Sequence, residues 1–393
     1  MKRLWIVTEV FFPEETATAY ILTKIADHLA DGIDVNVICG PASYEGKDRN
    51  QATGTLDERV KIHRVSGTVF GKNRLISRVF RFLSMTWKLT REFKKRVADG
   101  DEVLVVTNPA PILLSIARLR SRKSFSLNLL VHDVFPENTI PAGIIKSEKS
   151  LFYRFLKSLF DRAYAKADKL IVLGRDMEDV VTRKIGEGSE NKTVIIENWA
   201  DLENVNPEQR VDDGKIVLQY AGNLGRVQGL MELLKCVKDS SNDLIEMSFF
   251  GGGAVEKDLK NFVDINKMDN VHFYGNYKRN EQNKILNSCD LAIVTLAEGM
   301  YGLGVPSKTY NILAAGKPIL YIGDDKSEVA LMIKENGIGY VFKPNEIDKV
   351  TLFLRELSAE RKSELLQMGI KARHLAEDSY SEKVILDKYL DIL

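Results

Sequence analysis

Short apolar runs of strand length alternate along most of the chain with longer amphipathic segments of helix length. The apolar runs are rich in Val, Ile and Leu, which is typical of strands covered on both faces of a parallel sheet. Strands separated by helices predict βαβ units. The predicted strands are residues 4–8, 35–39, 60–65, 103–107, 127–132, 170–173 and 194–197, followed by residues 216–220, 245–250, 271–274, 291–295, 319–322 and 340–342.

The alternation is interrupted in a polar segment, residues 198–213, which contains Pro207. A chain of 393 residues is also longer than a single hydrophobic core usually supports. We therefore predict an α/β protein with two Rossmann-like, doubly wound parallel-sheet domains, residues 1–200 and residues 201–377. The tail, residues 378–393, is predicted to form a further amphipathic helix that packs back on the first domain.

Composition adds mainly exclusions. With 44% hydrophobic and 28% charged residues, the chain is neither disordered, collagen-like nor a disulfide scaffold. Cys39, Cys236 and Cys289 form no closely spaced pair, which favours a reduced, cytoplasmic protein. The first apolar run ends at Glu9 without a cleavage site, and no uncharged run approaches the ~20 residues that span a bilayer. If the protein binds a membrane, we therefore expect it to lie on the membrane surface rather than to span the bilayer.

The segments that follow the predicted strands of the second domain carry candidate binding chemistry, because ligands of parallel sheets bind beyond the carboxyl ends of the strands. Residues 221–229 read AGNLGRVQG, in which Gly222, Asn223 and Arg226 suit close backbone approach to an anion. Residues 251–253 are three glycines, of which Gly251 and Gly252 leave bare backbone for a base or a ribose. A plain strand-to-helix turn is the alternative in both places.

Residues 298–318 carry the strongest signal, EGMYGLGVPSKTYNILAAGKP. A glycine loop containing Glu298 and Gly304 meets a predicted helix that starts near Pro306. Ser307 and Lys308 follow the proline, so Lys308 lies in the first turn of that helix. A cation in the first helical turn is unfavourable unless an anion lies beside it, so Lys308 indicates a bound phosphate. A solvated lysine is the alternative.

In the first domain, His132 and Asp133 end a predicted strand and are followed by Glu137. A histidine that titrates near neutrality is a candidate proton acceptor, with the neighbouring carboxylate as its orienting partner. A hydrogen-bonded structural pair is the alternative. Asp99 and Asp101 match a DxD pattern, but they fall in a helix-to-strand turn, and no cluster of metal ligands is predicted.

The charge of the chain is unevenly distributed. The net charge is +1, yet residues 70–96 contain nine basic residues and one acid, which leaves the rest of the chain at −7. On a helix this segment has a broad apolar arc beside a basic face, which predicts an interfacial helix on anionic lipid. The residues expected to contact membrane or acceptor are Arg74, Arg78, Phe80, Arg81 and Trp87.

Two other interpretations of this segment stay open. It could be a core helix with a solvated basic edge, or a surface for nucleic acid, although the second leaves the two sheets unexplained. Residues 151–164 have a similar composition but are more typical of a core helix.

Taken in order, the motifs resemble those of the retaining nucleotide-sugar glycosyltransferases of family 4 (group 1), in the branch that builds bacterial capsule, O-antigen and exopolysaccharide. The resemblance covers nearly the whole chain and implies a GT-B fold, with the two domains facing across a cleft. It rests on FPE at 12–14, HDVFPE at 132–137, NWAD at 198–201, the GNLGRVQG loop, FGGG at 250–253, PSK at 306–308 and AAGKP at 314–318.

The resemblance also implies roles for these residues. The second domain would bind the nucleotide-sugar, with Arg226 and Lys308 on the diphosphate, and the first would bind the acceptor. Asn311 occupies the position of a glutamate that usually holds the ribose, and an amide can both accept and donate there. Thr16 and Thr18 stand where relatives often have two glycines against the donor phosphate.

The expected activity is transfer of a sugar, with retention of configuration, from a UDP-sugar to a hydroxyl of a lipid-linked or saccharide acceptor. No cofactor or metal is expected, because Arg, Lys and helix dipoles can neutralise the leaving diphosphate. The expected location is the inner face of the cell membrane, without nucleic acid as a partner. Two alternatives stay open: a nucleotide-sugar 2-epimerase of the same fold, and a non-catalytic partner subunit.

Overall fold

A computed structural model describes residues 2–14, 16–42, 55–67, 75–186 and 191–393, with backbone only for residues 75–81. Within it the chain divides into two compact units. The first unit comprises residues 1–138, 147–197 and 386–393, and the second comprises residues 139–146 and 198–385. The division between them begins at residue 198, where the predicted polar segment starts.

The first unit contains a seven-stranded sheet in the order β3-β2-β1-β4-β5-β6-β7, and every described pairing in it is parallel. Its strands are β1 (Arg3–Val7), β2 (Asp34–Cys39), β3 (Lys61–Arg64), β4 (Glu102–Val106), β5 (Ser126–Leu130), β6 (Lys169–Val172) and β7 (Thr193–Ile195). Its helices are α1 (Ala17–Leu29), α2 (Leu75–Arg96), α3 (Pro111–Leu119), α4 (Leu151–Ala165) and α5 (Arg175–Ile185).

The second unit contains a six-stranded sheet in the order β10-β9-β8-β11-β12-β13, again with parallel pairings throughout. Its strands are β8 (Ile216–Ala221), β9 (Ile245–Phe250), β10 (Val271–Gly275), β11 (Leu291–Thr295), β12 (Ile319–Ile322) and β13 (Gly339–Phe342). The helices from here to the C-terminus are α6 (Leu230–Ser240), α7 (Glu256–Asn266), α8 (Gln282–Leu286), α9 (Lys308–Ala314), α10 (Glu328–Asn336), α11 (Ile347–Arg355), α12 (Arg361–Ser379) and α13 (Glu382–Ile392).

The predicted α/β architecture is confirmed, because each predicted strand is present with ends that differ by at most two residues. The reason lies in the central strands, which are buried along most of their length and therefore carry predominantly apolar sequence. The last helix, α13, closes the chain. His28 contacts Asp387 at 2.9 Å, and Lys388 pairs with Glu197 at 2.7 Å, so residues 386–393 belong to the first unit.

The two aspartates of the DxD pattern are both engaged in structural contacts in the turn between α2 and β4. Asp101 is buried, and its Oδ2 accepts hydrogen bonds from Trp5 Nε1 (2.9 Å) and from the backbone N–H of Ala98 (2.8 Å). Asp99 Oδ1 accepts a hydrogen bond at the surface from the backbone N–H of Ser124 (2.7 Å). The pattern therefore closes a turn.

Replacing each aspartate by alanine compares the stability contributed by a buried carboxylate with that of an exposed one. Asp101→Ala leaves the buried Trp5 Nε1–H without an acceptor and removes the partner of the partly buried Ala98 N–H, so we expect the free energy of unfolding to fall by about 1–3 kcal/mol. Asp99→Ala is the matched control and should cost less than about 1 kcal/mol, because water can replace its carboxylate. Urea denaturation of both variants measures the difference, and equal losses would contradict this description of the turn.

Candidate functional site

The loops at the carboxyl edge of the second sheet meet where the strand order reverses. β8 pairs with β9 on one side and with β11 on the other, so the chain leaves these strands in opposite directions. Such a switch point opens a crevice at the carboxyl ends of the strands. Three segments border it: residues 222–229 after β8, residues 251–255 after β9 and residues 296–307 after β11.

Backbone hydrogen bonds join these three loops into one layer. They run from the N–H of Gly222 to the carbonyl of Phe250 (2.8 Å), from Leu224 to Gly252 (3.0 Å) and from Ala297 to Val227 (2.7 Å). The loops therefore hold one another in place through main chain, which leaves side chains of the three segments free for other contacts.

Glycine is required at two positions of this layer. Gly222 has a φ of 146°, and Gly251 has a φ of 121°, a region that side chains rarely permit. A Cβ on Gly251 would lie 2.0 Å from the carbonyl oxygen of Gly222, and a Cβ on Gly222 would lie 2.6 Å from Lys308 Nζ. The two backbones and the lysine can approach each other only because no side chain intervenes.

Lys308 is the central charge of the layer. It is the first residue of α9, as predicted, and its Nζ lies 3.6 Å from the centroid of the Tyr220 ring at the end of β8. Within the described part of the chain, no carboxylate pairs with this ammonium, and burial lowers the pKa of Lys308 to about 7. A cation held by an aromatic face and bare backbone, without a counter-charge, is an incomplete ion pair that an anion would complete.

The other predicted donor-site residues belong to the same unit as Lys308 and lie on the loops after β8 and β11. Arg226 is exposed in a short 3-10 turn, Arg226–Gln228, and no acidic partner for it lies in the described ranges. Asn223 is exposed at the start of the same loop, and its backbone carbonyl accepts a hydrogen bond from the Tyr220 hydroxyl at 2.9 Å. Glu298 is exposed after β11, whereas Gly304 and Ser307 are partly buried along the approach to α9.

Asn311 has a different environment from the one expected of a free ribose contact. Its Oδ1 accepts a hydrogen bond from the backbone N–H of Asp201 at 2.9 Å. The Asp201 carboxylate in turn accepts hydrogen bonds from Arg279 (2.9 Å) and Asn204 (2.9 Å). The amide oxygen thus ties α9 to residue 201, and the amide nitrogen is the part left to bind a ligand.

In the first unit, His132 and Asp133 follow β5 and lie on a loop fixed by Thr107. The Thr107 hydroxyl oxygen accepts hydrogen bonds from the backbone N–H groups of both residues, at 3.2 and 3.3 Å. Among the described residues His132 Nε2 is buried without a hydrogen-bond partner, and burial lowers the pKa of His132 to about 4. The expectation of a histidine that titrates near neutrality is therefore wrong, and the structure gives no hydrogen bond from His132 to the exposed Asp133 side chain.

Glu137, the third candidate for a catalytic role after His132 and Asp133, lies in an ion cluster with two lysines. Lys184 Nζ contacts both of its carboxylate oxygens at 2.9 Å, Lys157 Nζ contacts Oε1 at 2.7 Å, and Asp161 contacts both lysines. Burial acts to raise the pKa of the Glu137 carboxyl, but the charges of Lys184 and Lys157 outweigh it and hold the pKa below its ordinary value. The cluster anchors the end of the His132 loop.

The remaining predicted residues of the first unit divide between caps and surface. The Thr16 hydroxyl accepts the N–H of Ala19 (3.3 Å) and so caps α1, whereas Thr18 lies partly buried in the first turn of that helix. Trp87 is exposed on α2 with Arg91 over its ring. Arg74 lies outside the described residues, as do the side chains of Arg78, Phe80 and Arg81.

One surface was underestimated from the sequence. Residues 151–164 were expected to form a core helix, and the inner face of α4 is indeed buried at Tyr153 and Phe160. Its outer face, however, exposes Leu151, Phe152 and Phe155. The composition of the helix was similar on both faces, so the sequence could not distinguish a buried aromatic from an exposed one.

Neither a cluster of metal ligands nor a membrane-spanning helix is present among the described residues. Residues 2–14, 16–42, 55–67, 75–186 and 191–393 contain no group of three or more His, Cys, Asp or Glu side chains that could hold a metal ion. In the same ranges no helix is long and apolar enough to cross a membrane.

Several residues that organise the sites carried no recognisable sequence signal. Tyr220, Thr107 and Lys184 lie in a strand, a strand end and a helix, where each residue type is ordinary. Their contacts become visible only when distant segments are brought together: Tyr220 is 88 residues from Lys308, and Lys184 is 47 residues from Glu137.

Comparison with known proteins agrees with this arrangement. The model of the family described as "Glycosyltransferase Family 4" matches residues 18–204, and that of "Glycosyl transferases group 1" matches residues 201–375. A Pseudomonas aeruginosa protein named "Probable glycosyltransferase WbjE" is 33% identical over 399 residues, which cover 99% of this chain and 97% of that protein.

Two solved structures share the fold at low sequence identity. Anabaena Alr3699/HepE, solved in complex with UDP, has a TM-score of 0.70 and 13% identity over 100% of this chain and 99% of its own. WaaG, a glycosyltransferase involved in lipopolysaccharide biosynthesis, has a TM-score of 0.66 and 17% identity over 99% of both chains. The two parallel-sheet units, the two family matches and the relative that covers the whole chain together show that this protein is a GT-B glycosyltransferase of the family 4, group 1 type.

Proposed function

We propose that the protein transfers a sugar from a UDP-sugar to a hydroxyl of a lipid-linked or saccharide acceptor in the synthesis of a bacterial surface polysaccharide, with retention of configuration and without a metal ion. The observation that carries the proposal is the unpaired ammonium of Lys308 among the glycine loops of the second unit. A nucleotide diphosphate supplies the anion that this ammonium lacks.

The donor half of the proposal follows from the geometry of that layer. Lys308 at the start of α9 and the exposed Arg226 on the loop after β8 are two cations of the same unit, which suits the two phosphates of a nucleoside diphosphate. The loop of Gly251 and Gly252, packed against Gly222, is the proposed contact for the nucleoside. Glu298 lies on the third loop, where its carboxylate can accept hydrogen bonds from hydroxyl groups of the donor sugar. The choice of uridine is supported by the UDP bound to the HepE structure.

Two cations at the leaving diphosphate also support metal independence. Charge that develops on the diphosphate oxygens as the glycosidic bond breaks is stabilised by Lys308 and Arg226, which is the function a divalent ion would otherwise serve. We therefore expect transfer to persist in the presence of EDTA.

His132 is the candidate for positioning the acceptor hydroxyl. Its pKa of about 4 keeps the imidazole neutral at physiological pH, so the buried Nε2 can form a hydrogen bond but is too weakly basic to retain a proton. The proton of the attacking hydroxyl would then pass to the leaving diphosphate, on the face from which that group departs. Attack from that face gives retention.

The acceptor class is proposed from two observations of different kinds. The first is that WaaG, which shares the fold, is a glycosyltransferase involved in lipopolysaccharide biosynthesis. The basic helix α2, with Trp87 exposed, would hold the protein at the inner face of the membrane, where a lipid-linked acceptor is found.

A lysine-to-methionine exchange tests whether Lys308 is held for a ligand. Lys308→Met removes a buried charge without a partner, so we expect the melting temperature to rise by roughly 2–5 °C while the stabilisation by UDP is lost. Because burial depresses its pKa, the unfolded chain binds more protons above pH 7, and the advantage of the variant shrinks as the pH rises from 7 towards the ordinary lysine pKa.

The matched control is Lys317→Met, which removes another buried lysine of the same unit. Lys317 Nζ donates to the carbonyls of Glu208 (3.2 Å) and Asn287 (3.4 Å), so its loss should lower the melting temperature and leave the UDP response intact. A Lys308→Met protein that melts earlier and still responds to UDP would contradict the donor-site assignment.

The activity itself is tested with a panel of UDP-, GDP-, ADP- and TDP-sugars and extracted lipid-linked saccharides as acceptors. We expect one UDP-sugar to be consumed with an acceptor present, in EDTA, to give a product with the anomeric configuration of the donor. Arg226→Ala should reduce kcat/KM for the donor by roughly tenfold to a hundredfold, as expected for loss of one charged contact. Interconversion of the nucleotide-sugar without an acceptor would instead indicate an epimerase, and binding without turnover would indicate a partner subunit.

The pH profile distinguishes the two buried bases. With Lys308 near pH 7 and His132 near pH 4 in the free protein, kcat/KM for the donor should fall as the pH rises above 7 and should show no acidic limb between pH 5 and 7 from His132. Lys308→Arg, which keeps its charge, should remove the alkaline limb if the longer side chain fits. A fall in kcat/KM as the pH drops below about 6.5, absent from His132→Gln, would instead show that His132 acts as a general base.

A further inference from the structure

Helix α2 extends beyond the carboxyl edge of the first sheet. The side chain of Met85 lies 3.5 Å from the Cβ position of Gly40, the residue that follows β2. One turn further along, Lys88 Nζ donates to the carbonyls of Ser66 (2.9 Å) and Gly67 (3.1 Å), which follow β3. The edge of the sheet is therefore level with residues 85–88, and the part of α2 before Met85 projects past it.

Helix α4 projects past the same edge. Its Phe160 ring packs on Phe135 with centroids 4.6 Å apart, and Phe135 already lies beyond the end of β5 at residue 130. Because a helix rises about 1.5 Å per residue, Leu151 lies roughly 14 Å further out than Phe160. α3 packs against both α2 and α4, so the two projecting helices flank it on one face of the sheet.

Large apolar side chains are exposed to solvent on the projecting end of α4 and on α2 at and before the level of the sheet edge. On α4, Leu151 is 82% exposed, Phe152 64% and Phe155 63%, and on α2 Trp87, level with the edge, is 61% exposed. Phe82 and Leu83, one turn before Trp87, are also exposed. These six residues are the apolar rim: Phe82, Leu83, Trp87, Leu151, Phe152 and Phe155.

Basic side chains accompany the apolar rim on both helices. Lys149, Arg154 and Arg162 are exposed on and before α4, and Arg91, Lys94 and Lys95 are exposed on α2. The described acids of these stretches are fewer: Glu92 is paired with Arg96, Asp161 belongs to the Glu137 cluster, and Glu148 is exposed. Exposed aromatic and aliphatic groups among cations complement an anionic lipid surface, in which rings enter the interface while charges remain at the headgroups.

We propose that the apolar rim is a two-helix docking surface for an anionic lipid bilayer, with α4 inserting Leu151, Phe152 and Phe155 beside α2. This deepens the proposed function and rests on it, because a lipid-linked acceptor would reach the His132 loop from the bilayer at the edge past which both helices project. Docking through two helices fixes the orientation of the first unit on the membrane, which one helix alone leaves free to rotate about its axis.

The test measures co-sedimentation with vesicles of equal parts phosphatidylcholine and phosphatidylglycerol, and with vesicles of phosphatidylcholine alone. The variant L151Q/F152Q/F155Q should bind the anionic vesicles at least roughly tenfold more weakly than the unaltered protein, because it loses the apolar area that inserts. The control I265Q/L352Q/L366Q replaces three exposed apolar residues of the second unit and should bind unchanged.

A second readout keeps this test separate from the proposed function. Stabilisation by UDP should be equal in the unaltered protein and the α4 variant, which also confirms that the variant is folded. Vesicle binding that is unaffected by the α4 substitutions would overturn the docking surface while leaving the glycosyltransferase proposal standing. Failure of every nucleotide-sugar, with vesicle binding intact, would overturn the proposed function alone.

A second copy of the protein is the alternative occupant of the apolar rim. If sedimentation velocity shows a dimer of the unaltered protein that the α4 variant loses, and vesicles do not compete with dimer formation, the apolar rim is an interface between copies and the lipid proposal is wrong. A monomer that binds anionic vesicles through α4 is the expected result.

Discussion

The ammonium of Lys308 lies against the face of Tyr220 and the backbone of Gly222 without a carboxylate beside it among the described residues, and the glycine loops of the second unit leave the space for that contact. Gly222 has to lack a side chain for the lysine to reach this position, and Gly251 has to lack one for its own loop to reach Gly222. The site is therefore built around a charge that is costly in the empty protein. A bound diphosphate removes that cost, so ligand binding and folding stability are linked through one side chain.

In the first unit, by contrast, a buried lysine is paired with carboxylates. Lys184 is as deeply enclosed as any lysine described, yet it is neutralised by Glu137 and Asp161 and lies 5.0 Å from the centroid of the Tyr164 ring. Tyr164 also accepts the N–H of Phe135, so the cluster fixes the loop that carries His132. An ion cluster whose charges are paired holds its loop in place, whereas an ammonium without a carboxylate partner attracts an anionic ligand. Glu137 is therefore fixed by its lysines, and Lys308 can bind a diphosphate.

Much of this arrangement could be predicted from the sequence, for physical reasons that differ between elements. β11 was predicted to the residue because both of its faces are buried and its residues are almost all apolar. Lys308 was identified because a cation at the start of a helix is unfavourable without an anion. The sequence could not show that burial takes His132 out of the neutral titration range, that Glu137 is engaged by two lysines, or that Asn311 binds the backbone at residue 201, since each depends on residues distant along the chain. The same limit applies to α4, whose exposed and buried aromatics have the same composition.

The central claim is that Lys308 is held partly deprotonated until a diphosphate binds. It is tested most directly by titrating UDP into the protein in a calorimeter at pH 8, in buffers of different ionisation enthalpy, which gives the number of protons taken up on binding. A lysine pKa of about 7 in the free protein predicts an uptake close to one proton, lost in Lys308→Met. Binding of UDP to the unaltered protein without proton uptake would contradict the account.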